Sequence, residues 1–145
     1  MAARQRNSGD VFVDSGAWIA LLSARDQHHA EADRLFRIAV RDRVSLVTTN
    51  LVLAEVHRFI LFRVGIRAAG AALDHIEASS LVRTQFAAES HHRAARRWMA
   101  RLDDHRISYT DAVSFAVMQA GRCRAVLGFD SDFTIAGFTR WNGER

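Results

Sequence analysis

A chain of 145 residues fits one domain, and a domain of that size buries roughly 70% of the surface its unfolded form exposes, so no disulfide or structural metal is needed to hold it together. The single Cys123 excludes an internal disulfide and a multi-cysteine zinc site, and because all 20 basic residues are arginine, P-loop phosphate binding and Schiff-base chemistry are excluded for want of lysine. A net charge of +4 and a pI near 10.8 favour polyanionic partners, nucleic acid first, because the arginine fork suits phosphates; codon bias and solvated helix faces would raise the same count.

Residues 1–10 are basic but lack an apolar run of signal-peptide length, and no later run approaches a membrane span. The sequence predicts a flexible segment over 1–10, then a single domain over 11–145, soluble and cytoplasmic. Residues 11–14 predict a strand. Helices follow over 15–24 and 27–41, with Asp26 as a cap before the second. SLVT at 45–48 predicts a second strand, and Asn50 is positioned to cap a long apolar helix reaching Gly65. Residues 67–79 continue helically, LVRT at 81–84 predicts a third strand, and 87–103 an arginine-rich amphipathic helix. Thr110 is positioned to cap a helix that Gly121 ends. RAVLGF at 124–129 predicts a fourth strand, and 137–141 a short edge strand. Strands alternating with helices predict an α/β fold with a parallel sheet covered on both faces.

Four acids recur in matching settings: Asp14 in VFVD, Glu55 in TTNLVLAEV, Asp111 in ISYTDAVSFAV and Asp130 in AVLGFDSDF. On this layout Asp14 and Asp130 leave the carboxyl ends of strands, and Glu55 and Asp111 lie in or near the first turns of helices facing the same rim, where open α/β sheets build ligand sites. Two carboxylates about 4 Å apart repel by roughly 4 kcal/mol at an effective dielectric near 20, so a cluster of four needs a divalent cation or raised pKa values. Hard oxygen ligands select Mg²⁺ or Mn²⁺, and a basic surface nearby suits phosphodiester hydrolysis. Each acid alone has a simpler explanation. Asp14 can cap the helix at Ser15, Asp111 can favour the helix dipole, and Asp130 with Asp132 can make turn hydrogen bonds.

VFVDSGAWIALL, TTNLVLAEV, SYTDAVSFAVM and AVLGFDSDF followed by AGF resemble the successive acidic motifs of PIN domains, in the VapC-type branch of bacterial toxin–antitoxin pairs. The resemblance spans residues 11–141. It implies a three-layer α/β/α fold, a Mg²⁺- or Mn²⁺-dependent endoribonuclease acting on RNA of the transfer or ribosomal class, and inhibition by a small cognate antitoxin. Matched by motif, Asp14, Glu55, Asp111 and Asp130 are the expected catalytic acids, with Asp14, Asp111 and Asp130 on the metal and Asp132 an accessory. Ser15, Asn50 and Thr110 are candidate outer groups, since each neighbours an acid or caps its helix. The family often carries Ser or Thr two residues before its last acid; this chain has Gly128.

Other residues read as structural. The pairs His28-His29 and His91-His92 lack the i, i+4 spacing of a helical zinc motif. Trp18, Trp98 and Trp141 fit a core better than a base-stacking role, and Arg93, Arg96, Arg97 and Arg101 make either a solvated stripe or an RNA track. The helix from Leu51 to Val64 is apolar on more sides than one buried face requires, so around Phe59 and Phe62 it is expected to pack on an antitoxin helix or a second copy in a homodimer, unless the monomer encloses it. The alternative function is an inactive PIN-like RNA-binding or scaffold module, which predicts loss of acids. A phosphotransferase of the haloacid-dehalogenase type would need a second Asp where Gly16 stands, and a lysine.

Overall fold

A computed structural model describes residues 9–144. Residues 1–8 of the segment expected to be flexible, 1–10, lie outside the described residues. Strands β1 (Val11–Val13), β2 (Leu46–Thr49), β3 (Val82–Gln85), β4 (Ala125–Leu127) and β5 (Thr139–Arg140) form one sheet in the order β3-β2-β1-β4-β5. Every pairing is parallel. β1 sits at the centre with all three residues buried, because a strand covered on both faces must be apolar on both.

The helices are α1 (Ser15–Leu22), α2 (His29–Asp42), α3 (Asn50–Arg63), α4 (Ile66–Ala78), α5 (Glu89–Arg101), α6 (Tyr109–Ala120) and α7 (Asp132–Ile135). They pack in two groups, α1 to α4 and α5 to α7, one for each face of the sheet, which makes the α/β/α layering. In α2 the spacing of Ala32, Leu35, Phe36 and Ala39 puts the apolar side chains on one buried stripe, with Arg34, Arg37 and Arg41 outside. The helix enclosed on all sides is α6, buried without interruption from Asp111 to Met118, whereas α3 leaves Phe62 exposed. Phe115 of α6 meets Phe133 edge-on at 5.0 Å, and Trp98 of α5 meets Phe115 at 5.5 Å. All three tryptophans are buried in the core.

Three expected caps are displaced. His28, not Asp26, stands at the N-cap of α2, and Asp26 Oδ1 accepts from the His28 N–H at 2.8 Å, a turn bond one step ahead of the helix. Thr49, not Asn50, caps α3, accepting from the Val52 N–H at 3.1 Å; Asn50 is the first helical residue, and its Oδ1 accepts from the Ala87 N–H at 2.9 Å. Ser108, not Thr110, caps α6, accepting from the Asp111 N–H at 3.1 Å. The Ser-x-x-Asp spacing at 108–111 carries that signal in the sequence. Gly121 ends α6 as expected, but the left-handed residue is the following Arg122, at φ 55°.

The His92–Tyr109 and Trp98–Phe115 contacts share one residue offset, so α5 and α6 run side by side in the same direction. Residues 102–108 return the chain to the start. Both helices therefore begin at the carboxyl rim of the sheet, near the acids.

Candidate active site

Asp14 follows β1 as the N-cap of α1, and its N–H donates to the Leu127 carbonyl at 3.1 Å, tying it to β4. Its side chain is 4% exposed. The carboxylate takes a backbone hydrogen bond from Ser15, which holds its pKa down, but burial outweighs that and, with the charges of Glu55, Asp130 and Asp132, pushes it up to about 7. Among the described residues, its buried Oδ1 has no hydrogen-bond partner. Asp111 sits in the first turn of α6, 8% exposed, and burial with the charges of Asp14, Asp130, Glu55 and Asp132 pushes it up to about 8.

Asp130 and Asp132 leave the other side of the site. The Asp132 N–H donates to Asp130 Oδ1 at 3.0 Å, so Asp130 folds the turn and α7 starts at Asp132. The expected turn hydrogen bond of this pair is thus present. Carboxylate oxygens of Asp111, Asp130 and Asp132 all lie within 4.8 Å of one another. Glu55 stands on an exposed position of α3, yet desolvation raises its pKa, and its charge acts on both Asp14 and Asp111.

Folding therefore brings the expected four acids to one place together with Asp132, which the resemblance implied only as an accessory. The expected outer groups divide. Ser15 contributes its backbone N–H to Asp14. Asn50 spends its side-chain oxygen on Ala87, and Thr110 offers its carbonyl to the Ser114 hydroxyl at 3.0 Å. One histidine of each pair is tied to the fold: His29 Nδ1 lies 2.7 Å from the Ala20 carbonyl oxygen, and His91 Nδ1 accepts from the Ala88 N–H. Sequence reading missed Ser108 and α7.

These residues fit a divalent cation. An unpartnered buried carboxylate oxygen costs roughly 1–3 kcal/mol or more when nothing satisfies it, and the crowding that lifts two pKa values toward neutrality is relieved by positive charge. The donors are all hard oxygens, as Mg²⁺ and Mn²⁺ require.

Residues 11–138 match the PIN domain family. The chain belongs to that family. Relatives of this chain include the 23S rRNA-specific endonuclease VapC20 from two strains of Mycobacterium tuberculosis, each 38% identical over 128 residues, covering 88% of this chain and 95% of the relative. The crystal structure of Mycobacterium tuberculosis VapC20, described as a sarcin-ricin loop cleaving toxin, matches with a TM-score of 0.81 and 35% identity, covering 90% of this chain and 98% of that one. Among the described residues, no helix of this PIN domain is long and apolar enough to cross a membrane.

Proposed function

We infer that this chain is an endoribonuclease toxin of the VapC type that hydrolyses RNA phosphodiester bonds with Mg²⁺ or Mn²⁺. The observation that carries the reading is the orphaned, buried Asp14 Oδ1 beside Asp111 in a cluster of acids within a PIN domain. Asp14, Asp111 and Asp130 would hold the cation, with Asp132 completing the set and Glu55 adding charge at the open side. Bound there, the cation supplies a water of lowered pKa and charge against the scissile phosphate. Raised to about 7 and about 8, Asp14 and Asp111 are partly protonated near neutral pH without a cation, and a bound cation would displace those protons. Ser108 fixes the start of α6 and so the position of Asp111, while the Asp130 turn fixes Asp132.

Ribosomal RNA is the first substrate class to test, since the relative at 38% identity is named for 23S rRNA; transfer RNA is the second. The experiment maps cleaved ends in both RNAs with Mg²⁺, Mn²⁺ or excess EDTA. Cleavage undiminished in EDTA would overturn the metal. No cleavage of either RNA with either ion would favour the inactive RNA-binding or scaffold alternative, against which the presence of all four acids counts.

The partner reading is a small antitoxin and a homodimer, in the cytoplasm. A groove of about 920 Å³ runs between α1, α3 and α4, lined by Leu22, Arg25, Phe59, Arg63, Val64 and Ala71 among others. We assign the antitoxin segment to this groove. Phe62 is 73% exposed and Ile66 81%, and neither is among the groove residues; this apolar surface outside the groove suits a second copy.

A further inference from the structure

Two aromatic groups at the carboxyl rim have no part in the cluster of acids. Phe86 leaves the edge strand β3 and is 67% exposed. A single exposed hydrophobic decides nothing, because folded surfaces carry many. Phe86 differs in how its backbone is held. Its carbonyl accepts from Gln85 Nε2 at 3.1 Å, the next N–H donates to Asn50 Oδ1 at 2.9 Å, and Gln85 Oε1 in turn accepts from the Arg83 guanidinium at 3.2 Å. An exposed ring is thus presented from fixed backbone.

The second group is the pair His92–Tyr109. Tyr109 begins α6, two residues before Asp111, and is 43% exposed. Its hydroxyl shares a 2.8 Å hydrogen bond with His92 Nδ1, and the rings meet edge-on at 5.7 Å, which fixes the tyrosine ring from two directions. β2 alone separates β3 from β1, which places Phe86 two strand spacings, about 10 Å, from the strand that carries Asp14. That is too far for a ring to touch the reacting phosphate, and suits a neighbouring nucleotide.

We propose that Phe86 and the His92–Tyr109 pair form a base-stacking platform that holds an unpaired nucleotide of the RNA substrate beside the acids. Every base has a π-face, but paired bases keep theirs inside the duplex, so fixed and exposed rings select unpaired RNA. Continuity of the rim with the cluster of acids favours RNA over a protein partner at this surface. The platform rests on the ribonuclease reading and deepens it by naming these as positioning residues.

The test measures binding of a short labelled unpaired RNA, and of a duplex of equal length, to the full chain in EDTA by fluorescence anisotropy. Phe86→Ala and Phe86→Leu should each weaken unpaired RNA by about five- to hundredfold, the range for one lost stack, while Phe86→Trp stays within about twofold of the parent. Leucine keeps the apolar bulk without the π-face, so it separates stacking from simple burial. His92→Ala should weaken the same RNA, and duplex binding should be unchanged throughout. In cleavage assays with metal, KM should rise with kcat held within about threefold. Equal affinity of parent and Phe86→Ala for unpaired RNA overturns the platform, as does an equal loss on duplex, or a change of oligomeric state with RNA affinity intact. A parent that binds unpaired RNA in this pattern but cuts nothing would overturn the nuclease reading and leave the platform standing.

Discussion

Asp14 and Gly128 meet across the β1–β4 pair: a Cβ added to Gly128 would stand 3.2 Å from the Asp14 Cβ and 3.9 Å from its Oδ2. They lie one step beyond the Val13–Leu127 register pair, so the sheet itself sets the approach. The family's usual hydroxyl residue would here crowd the most buried acid.

That contact gives a paired prediction. Gly128→Ala and Gly128→Ser bring the same Cβ, so the difference between them isolates the hydroxyl, which has Asp14 Oδ2 within reach. The serine variant is expected to be more stable than the alanine variant by about 1 kcal/mol in metal-free buffer. Urea unfolding of both at pH 8 measures it, and equal midpoints would place the hydroxyl elsewhere.

Asp111→Asn barely changes volume and removes a ligand charge. It is expected to lower cleavage at least about 100-fold, since the charge stabilisation a catalytic metal supplies amounts to several kcal/mol, while the metal-free protein becomes more stable because a buried, repelled carboxylate is gone. Activity at the parent's rate in a pure, folded variant would remove Asp111 from the site.

The raised acids also set a pH dependence. Unfolded aspartates titrate near pH 4; in the fold Asp14 titrates at about 7 and Asp111 at about 8. Between those limits the native state binds more protons than the unfolded state, so stability falls as pH rises, by up to about 1.4 kcal/mol per pH unit for each titrating group, and levels off above pH 8. In chelator, Tm should therefore drop between pH 5.5 and 8.5. Saturating Mg²⁺ should flatten the drop, because it stabilises the ionised form. A Tm in chelator that holds or climbs over this range would contradict the assignment.

Val64 lines the α1–α3–α4 groove and is 73% exposed, so Val64→Glu should fold normally yet bury a carboxylate under the antitoxin. Weaker antitoxin binding by about tenfold is expected, within the ~1–3 kcal/mol for burying a polar group, with Arg25 and Arg63 on the groove wall offsetting part of the cost. Phe62→Glu, outside the groove, should instead shift a homodimer toward monomer. Calorimetric titration and sedimentation separate the two, and antitoxin loss in Phe62→Glu alone would move the interface to the outer face of α3.

Asn50→Ala leaves the Ala87 N–H without its acceptor. Destabilisation of about 1–2 kcal/mol is expected, with the metal-induced rise in Tm unchanged. A lost metal response would return Asn50 to the site.

Much of this protein was legible in its sequence. Short apolar runs alternating with amphipathic stretches determined a parallel sheet between helix layers, and the placement of Asp14, Glu55, Asp111 and Asp130 at strand ends and helix starts put them on one rim, because those are local consequences of period and punctuation. What the tertiary structure alone decided were partners distant in the chain. Asn50 reads as a cap by type and position, yet its amide serves Ala87, 37 residues away. The crowding at Gly128 arises from register, and the enclosure of α6 from packing on both sides. Asp14 is lifted to about 7 because folding removes water from a carboxylate and brings Glu55, Asp130 and Asp132 to it together, a sum of burial and charge that no local window contains.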